Sequence, residues 1–459
     1  VGACAGPKAV VPTRPNIVLV VIDTLRRDHL GCYGYERATS PFLDELAASG
    51  TLFERAFAQA PWTAPSVASV FTSQYPSQIG VGAIEDDAGL RDLVTYSASG
   101  LGPTPPTLAE TLAAAGYATL AATANVWSSD WLGMLRGFDS KDDEGILAEE
   151  VVDRTLALLD GHLVAGKEGL APFFAFVHLV DPHSPTDPPP PYDTLFPTVD
   201  GKPHTARQKE WDFGSARGVD SPAFEIYRSH KLALYDGSIA YADAQLRRLH
   251  EALARAGVGE RTVWVIAADH GEEFWDSPEF PVKFDPAPTG NGAVGHGHSL
   301  LAEVLDVPLI IAGAGVPPGR EPHLVRNLDI APTILGLADI TSPTEFGGVD
   351  LLRARRLGRL VDLPGISEDI AFGHAAQSLE DGRYKYIVFP RHPARPTFLF
   401  DVLADPAETT NLVALEPDLA AQLGSRLSEL TENFRSPSRQ PPVTSPAVLK
   451  KLRALGYVN

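Results

Sequence analysis

The most constraining feature of the chain is a buried-strand pattern that ends in acid. Asn16-Ile-Val-Leu-Val-Val-Ile22 is an unbroken, largely β-branched run, and the next residue is Asp23. Runs of this kind, with no polar alternation, belong to parallel strands covered on both faces. Thr262-Val-Trp-Val-Ile-Ala-Ala268 repeats the pattern and ends in Asp269-His270. Phe173-Phe-Ala-Phe-Val177 repeats it ahead of His178 and Asp181, and Val307-Pro-Leu-Ile-Ile-Ala312 is a fourth run. Helical patterns lie between them. Ser40 to Gly50 has a Ser start, a Pro just inside and a Gly end. Leu108 to Gly116 is similar, and Tyr235 to Gly257 is a long amphipathic stretch. Alternating strands and helices predict an α/β fold, a large and mostly parallel sheet sandwiched by helices. Such sheets bind ligands beyond the carboxyl ends of their strands, which is where three of the four runs place carboxylates or histidines.

Three segments follow from the change of pattern along the chain: a tail over 1–14, a catalytic α/β domain over 15–376, and a C-terminal subdomain over 377–459. The last shows short antiparallel strands at Arg383–Phe389 and Thr397–Phe400 and a helix over Glu416–Phe434. Two stretches break the rhythm. His183 to His230 contains the run Pro188–Pro191, and Trp275 to Gly295 is rich in Pro, Gly and Asp. Each follows a strand end, the usual place for lids and specificity loops; the competing reading is disordered insertions.

Charge and cysteine content narrow the function. A net charge of −20 argues against nucleic acid and anionic membranes, which need clustered Lys and Arg. It leaves room for a small anionic substrate at a local positive centre. Two cysteines in 459 residues exclude a disulfide scaffold and a Cys-based zinc site. No apolar run reaches the roughly 18 residues that cross a bilayer. Val1-Gly-Ala-Cys4 reads as the end of a bacterial lipobox, or as a chance tetrapeptide. The first reading predicts an exported protein, periplasmic or at the cell surface, tethered to the membrane through Cys4.

Asp23 and Asp269 stand at the ends of buried strands, where an uncompensated carboxylate is costly. With His270 they predict a divalent-metal site; capping roles are the alternative for each residue taken singly. Thr63, in Ala60-Pro-Trp-Thr-Ala-Pro-Ser-Val67, reads as a helix N-cap. A hydroxyl there feels the positive end of the helix dipole, as does a bound anion. A plain cap and an active hydroxyl are both open.

Longer strings carry a resemblance. They are Asp23-Thr-Leu-Arg-Arg-Asp-His-Leu-Gly-Cys-Tyr-Gly-Tyr35, Thr39-Ser-Pro-Phe-Leu-Asp-Glu-Leu46 and Ala60 to Thr72. Further along come His178-Leu-Val-Asp-Pro-His183, Ala268-Asp-His-Gly-Glu-Glu273, Gly295-His-Gly-His-Ser-Leu300, Asp329-Ile-Ala-Pro-Thr333 and Asp405-Pro-Ala-Glu-Thr-Thr-Asn-Leu412. In order, from about residue 15 to 435, the chain resembles the sulfatase family of the alkaline phosphatase superfamily. The resemblance implies that Asp23, Asp269 and His270 bind a metal and that Thr63 holds the nucleophile position and also contacts that metal. It implies that His183 and His296, with His298 as the alternative to His296, contact the anionic substrate or protonate its leaving group. Arg26 matches the basic residue of the first signature and would orient the site.

Four departures bear on the chemistry. Family members have Cys or Ser in C/S-x-P-x-R and convert it to formylglycine. Here the string is Thr63-Ala-Pro-Ser-Val67; oxidation of Thr would give a ketone, and Val67 replaces the Arg. Thr24 replaces the second Asp of a usual Asp-Asp pair, and His270 stands where many relatives have Asn. These changes resemble the nucleotide pyrophosphatase/phosphodiesterases, lipoteichoic acid synthases and phosphoethanolamine transferases, which use a metal-bound Thr on phosphorus esters. Imidazole among carboxylates favours Zn²⁺ or Mn²⁺ over Ca²⁺ or Mg²⁺. A second ion would be held by Asp181, His183 and His296 or His298. The expectation is therefore a metal-dependent hydrolase or transferase acting through Thr63. Its substrate would be a phosphate ester or diester, small or linked to glycan or lipid. The alternatives are a sulfuric ester hydrolase working without formylglycine and an inactive protein that binds anionic glycans or lipids.

Overall fold

A computed structural model describes residues 14–85, 90–92, 98–163, 171–202, 222–276, 294–434, 442 and 444–454. Cys4 and parts of both long loops, 203–221 and 277–293, lie outside the described residues. The expected large sheet is present and has eight strands. From edge to edge they are Gly319–Arg326, Thr51–Phe57, Asp306–Gly313, Thr262–Ala267, Asn16–Ile22, Phe173–Leu179, Ala118–Thr123 and Ser140–Asp142. Asn16–Ile22 is central and pairs in parallel on both sides, so that Val21 lies opposite His178 on one neighbour and Ala267 on the other. Ala118–Thr123 joins in parallel, with Thr123 opposite His178. The exception is Asp306–Gly313, antiparallel to both of its neighbours. An apolar run carries no information about direction, so this reversal was not readable from residues 307–312.

The central strands are sealed on both faces, and every residue of Asn16–Ile22 and Phe173–Leu179 is buried. Helices cover the sheet. The helix expected from Tyr235 begins at Pro222 and runs to Arg255, so the last part of the stretch read as irregular loop is helical. Its added turns bury Phe224, His230, Ala233 and Leu234, and Phe224 packs edge-on against Trp275 at 5.1 Å between ring centres. Asp243 on this helix accepts the Phe42 N–H (3.0 Å) and the Leu43 N–H (2.8 Å). Those are donors that the start of helix Pro41–Ser49 leaves without an intrahelical partner. Among the described residues no helix is long and apolar enough to cross a membrane.

A smaller antiparallel sheet follows: Gly365–Glu368, Gln377–Glu380, Tyr384–Val388 and Phe398–Asp401. Its first strand precedes residue 377. Helix Pro417–Thr431 packs Ala420, Leu423 and Leu427 against Ile366, Leu379, Tyr386 and Leu399. A buried ion pair inside this unit reaches the segment that leads into strand Asp306–Gly313. Lys385 and Glu408 meet at 2.8 Å, each about 1% exposed, and Glu408 also accepts the Ala302 N–H at 2.9 Å. Removing one partner strands the other charge in a dry interior, which costs more than the pair contributes. Lys385→Met is therefore expected to lower unfolding free energy by about 3 to 5 kcal/mol. The double variant Lys385→Met/Glu408→Gln should recover most of that loss. Denaturant titration of both variants is the measurement, and equal losses would contradict the account.

Candidate active site

The site forms where neighbouring strands end. Asp23 follows the central strand and Asp269 lies two residues beyond Thr262–Ala267. His178 is the sixth residue of Phe173–Leu179, and Asn125 lies two beyond Ala118–Thr123. Parallel register brings these positions to one edge of the sheet. Thr63 arrives from the loop after Thr51–Phe57. It is not the N-cap: Trp62 is, and Thr63 is the first residue of helix Thr63–Thr72. Its hydroxyl caps nothing and faces the strand ends. Asn125 Nδ2 donates to Thr63 Oγ1 at 3.1 Å, His270 Nε2 lies 3.4 Å from that oxygen, and Asp23 Oδ2 lies 3.5 Å from it.

The cluster is dry. Asp23, Thr63, His178, Asp269 and His270 have no solvent exposure. His270 Nε2 lies 3.4 Å from Asp23 Oδ1 and 3.5 Å from Asp269 Oδ2. Its other nitrogen, Nδ1, is 2.9 Å from the Gly271 carbonyl, which leaves Nε2 as the free lone pair. Burial lowers His270 to about 3, helped by His296, and lowers His178 to about 4, so both imidazoles are neutral. Burial also raises Asp269 to about 6. Asp23 Oδ1 and Asp269 Oδ2 have no hydrogen-bond partner. Orphaned carboxylate oxygens beside imidazole lone pairs repel one another unless a cation lies among them. Asp23, Asp269 and His270, with the Thr63 hydroxyl, thus fit a divalent ion by chemistry and by proximity.

Other expected residues separate into those at the centre and those beside it. The His296 ring lies 4.4 Å from that of His270 and 5.0 Å from that of His183. Burial opposes protonation of His296, but the Glu272 carboxylate, 3.3 Å from Nδ1, outweighs it and raises the pKa. His183 Nδ1 is held by the Ser184 carbonyl at 2.5 Å. His298 pairs instead with Glu273 at 3.0 Å. The Arg26 guanidinium is committed to Asp28 (2.7 Å), Asp276 (2.6 Å) and the Glu272 carbonyl (3.1 Å), where it braces the segment after Asp269. Asp181 accepts the Ala148 N–H at 3.0 Å, and burial raises it to about 7. Among the described residues, Asp181, His183, His296 and His298 do not bring three metal-ligand atoms together.

Sequence reasoning missed Asn125 and gave His178 no role. Asn125 follows Ala-Thr-Leu-Ala-Ala-Thr, a strand too poor in large β-branched residues to stand out. Its Oδ1 accepts the Trp127 N–H at 2.8 Å, which aims Nδ2 at Thr63 and at Asp23 Oδ2. His178 is legible only as a polar residue after the Phe173–Val177 run; the strand continues to Leu179, so the imidazole lies inside the strand, opposite Val21 and Thr123.

Comparison with known proteins agrees with this architecture. The Sulfatase family model matches residues 15–340. An ulvan-active sulfatase of Formosa agariphila is 24% identical over 476 residues, covering 93% of this chain and 83% of that protein. Human arylsulfatase A is 26% identical over 446 residues, covering 89% and 81%. Among solved structures, the phosphonate monoester hydrolase of Agrobacterium radiobacter has a TM-score of 0.69 at 20% identity, covering 94% of this chain and 100% of that one. A 2-O GAG sulfatase has a TM-score of 0.69 at 19% identity, covering 95% and 99%. At these identities the structural likenesses speak to fold. The family match spans well over half the chain, and the chain belongs to the sulfatase family.

Proposed function

We propose that this sulfatase-family hydrolase cleaves an anionic ester through the unmodified Thr63 hydroxyl. The single observation that carries the reading is the position of Thr63. Its Oγ1 lies within 3.5 Å of Asn125, His270 and Asp23, in the first turn of a helix whose dipole favours negative charge there. The family model and the two sequence relatives named above, an ulvan-active sulfatase and an arylsulfatase, favour a sulfuric ester as substrate. A second reading, a phosphoric ester or diester, is favoured by Thr63 itself. A threonine cannot become an aldehyde, and Val67, a buried residue, replaces the guanidinium of the usual motif. A threonine alkoxide attacks tetrahedral phosphorus directly.

Asp23, Asp269, His270 and Thr63 would hold the divalent ion. When bound, it would acidify the Thr63 hydroxyl and offset charge on the ester oxygens. The donor set suits Zn²⁺ or Mn²⁺ better than Ca²⁺. With its proton released to solvent, Thr63 Oγ1 attacks in line and the bond from the central sulfur or phosphorus to the departing alcohol breaks. Asn125, fixed by the Trp127 N–H that its Oδ1 accepts, donates from Nδ2 to the attacking oxygen and holds it in place. His296, kept protonated by Glu272, gives its proton to the leaving alcohol. Water then cleaves the Thr63 ester, with His296 as the base.

Three measurements follow. A panel of aryl sulfate, aryl phosphate, phosphate diester and phosphonate esters should show turnover of at least one class. Thr63→Ala should lose it by several orders of magnitude with unchanged circular dichroism; near-full turnover in that variant would remove Thr63 as nucleophile. Sulfate turnover above phosphate would decide for the first reading and the reverse for the second. Asn125→Ala should lower kcat by about 10²- to 10³-fold, and a change confined to KM would contradict its role. Chelator-treated protein should gain about 2.7 kcal/mol of stability when Zn²⁺ is supplied at about 100 times its Kd. Asp269→Asn should abolish that gain yet raise the melting temperature of the metal-free chain, because it removes one of two facing carboxylates. A metal-induced gain unchanged by Asp269→Asn would contradict the assignment.

A further inference from the structure

We propose that His178 is a further ligand of the metal, so that two carboxylates and two imidazoles hold the ion beside the Thr63 hydroxyl. This rests on the reading that a divalent ion sits between Asp23 and Asp269; it does not depend on which ester is cleaved. Asp23, His178 and Asp269 each offer one ligand atom, all within 4.8 Å of one another and all buried. The His178 Nε2 lies 3.9 Å from Asp269 Oδ2 and 4.0 Å from Asp23 Oδ2. It has no hydrogen-bond partner, and neither do Asp23 Oδ1 and Asp269 Oδ2. Three buried polar atoms without partners, on three side chains whose ligand atoms lie within 4.8 Å of one another, are rare in a folded interior.

The surroundings of His178 leave no other occupation for that nitrogen. Nδ1 lies 2.7 Å from Ser128 Oγ. The Ser128 hydroxyl donates to the Asn125 carbonyl at 3.0 Å, so its oxygen accepts Nδ1–H and Nε2 carries the lone pair. A lone pair facing two carboxylates is repulsive without a cation between them. If Nε2 carried the proton instead, 3.9 and 4.0 Å would be too long for a hydrogen bond. Either tautomer is left unsatisfied, and a cation at the centre satisfies all three atoms. Bound at about 2.1 Å in a tetrahedral set, ligand atoms lie roughly 3.4 Å apart. The spacings of 3.4 to 4.0 Å around this centre need only a small contraction.

Thr24 shows why the neighbouring strand supplies the donor. It adopts a left-handed backbone (φ 58°), and its hydroxyl is spent on the Asp23 carbonyl at 2.6 Å. The end of the central strand therefore offers one ligand residue, Asp23, and the adjacent strand adds His178. Two imidazoles move the set further from calcium chemistry toward zinc, cobalt or manganese.

The test is metal binding to the full chain in the absence of substrate. Chelator-treated wild type titrated with Co²⁺ should take up the ion with visible bands of a low-coordinate nitrogen–oxygen site, and Zn²⁺ should displace it where Ca²⁺ does not. His178→Ala should weaken Co²⁺ and Zn²⁺ binding by on the order of 100-fold, with circular dichroism unchanged. It should leave weak Ca²⁺ binding nearly as it was. Unchanged Co²⁺ affinity and spectrum in His178→Ala would overturn the proposal. If that variant does not fold, X-ray absorption of the zinc-loaded wild type decides, since it counts imidazoles: two support the assignment and one refutes it. A chain that binds no divalent ion at all would sink the metal reading itself, whereas binding with one imidazole would sink His178 alone.

Discussion

Two fully buried carboxylates held side by side govern this molecule. Asp23 and Asp269 end adjacent parallel strands, and neither has any exposure. Each would cost several kcal/mol as a lone buried anion, and the fold brings them together rather than apart. The sheet beneath supplies the restraint: continuous apolar strands fix where the chain must stop being apolar. The Ser66 hydroxyl and the Asn327 amide bind the Asp269 and Ala268 carbonyls at 2.6 and 2.8 Å, so the chain leaving the strand cannot relax away. Stability is given up locally and held by the large core around it, as is common where function requires a strained or charged constellation.

The rest of the site is arranged around that concentration of charge. Thr63 places a hydroxyl at the first turn of a helix, and Asn125 reaches it from a short 3₁₀ turn that its own side chain caps. His296 stands over His270 and is tuned by Glu272. Arg26 is bound on all sides by Asp28, Asp276 and the Glu272 backbone, and so holds in place the segment that carries Glu272. The small C-terminal sheet joins this arrangement at a distance. Glu408 accepts the Ala302 N–H just beyond His296 and His298, and the Gly297 carbonyl accepts the Ala371 N–H at 2.6 Å.

The strand ends were legible because burial on both faces forces a continuous apolar run, and a carboxylate directly after such a run stands out. Asp23, Asp269 and His270 stand out on that ground, and the fold brings them together. Thr63 was found, but its local string suggests a cap, and only the tertiary placement of Trp62 one residue earlier removes that role. Asn125 is hidden behind an alanine-rich strand, and His178 lies within a strand that runs two residues past the apolar run. Direction and pairing partners lie outside what a periodicity can hold, which is why the antiparallel Asp306–Gly313 strand and the early start of the Pro222–Arg255 helix emerged only with the fold.

The central claim is that Thr63 is esterified during turnover. Mass spectrometry of acid-quenched enzyme, taken during turnover of the best aryl ester, tests it most directly. The account predicts that the peptide carrying Thr63 gains the mass of one sulfo or phospho group, with fragment ions placing the group on that residue. Steady turnover with that peptide unmodified at every quench time, or with the group found on a histidine instead, would contradict it.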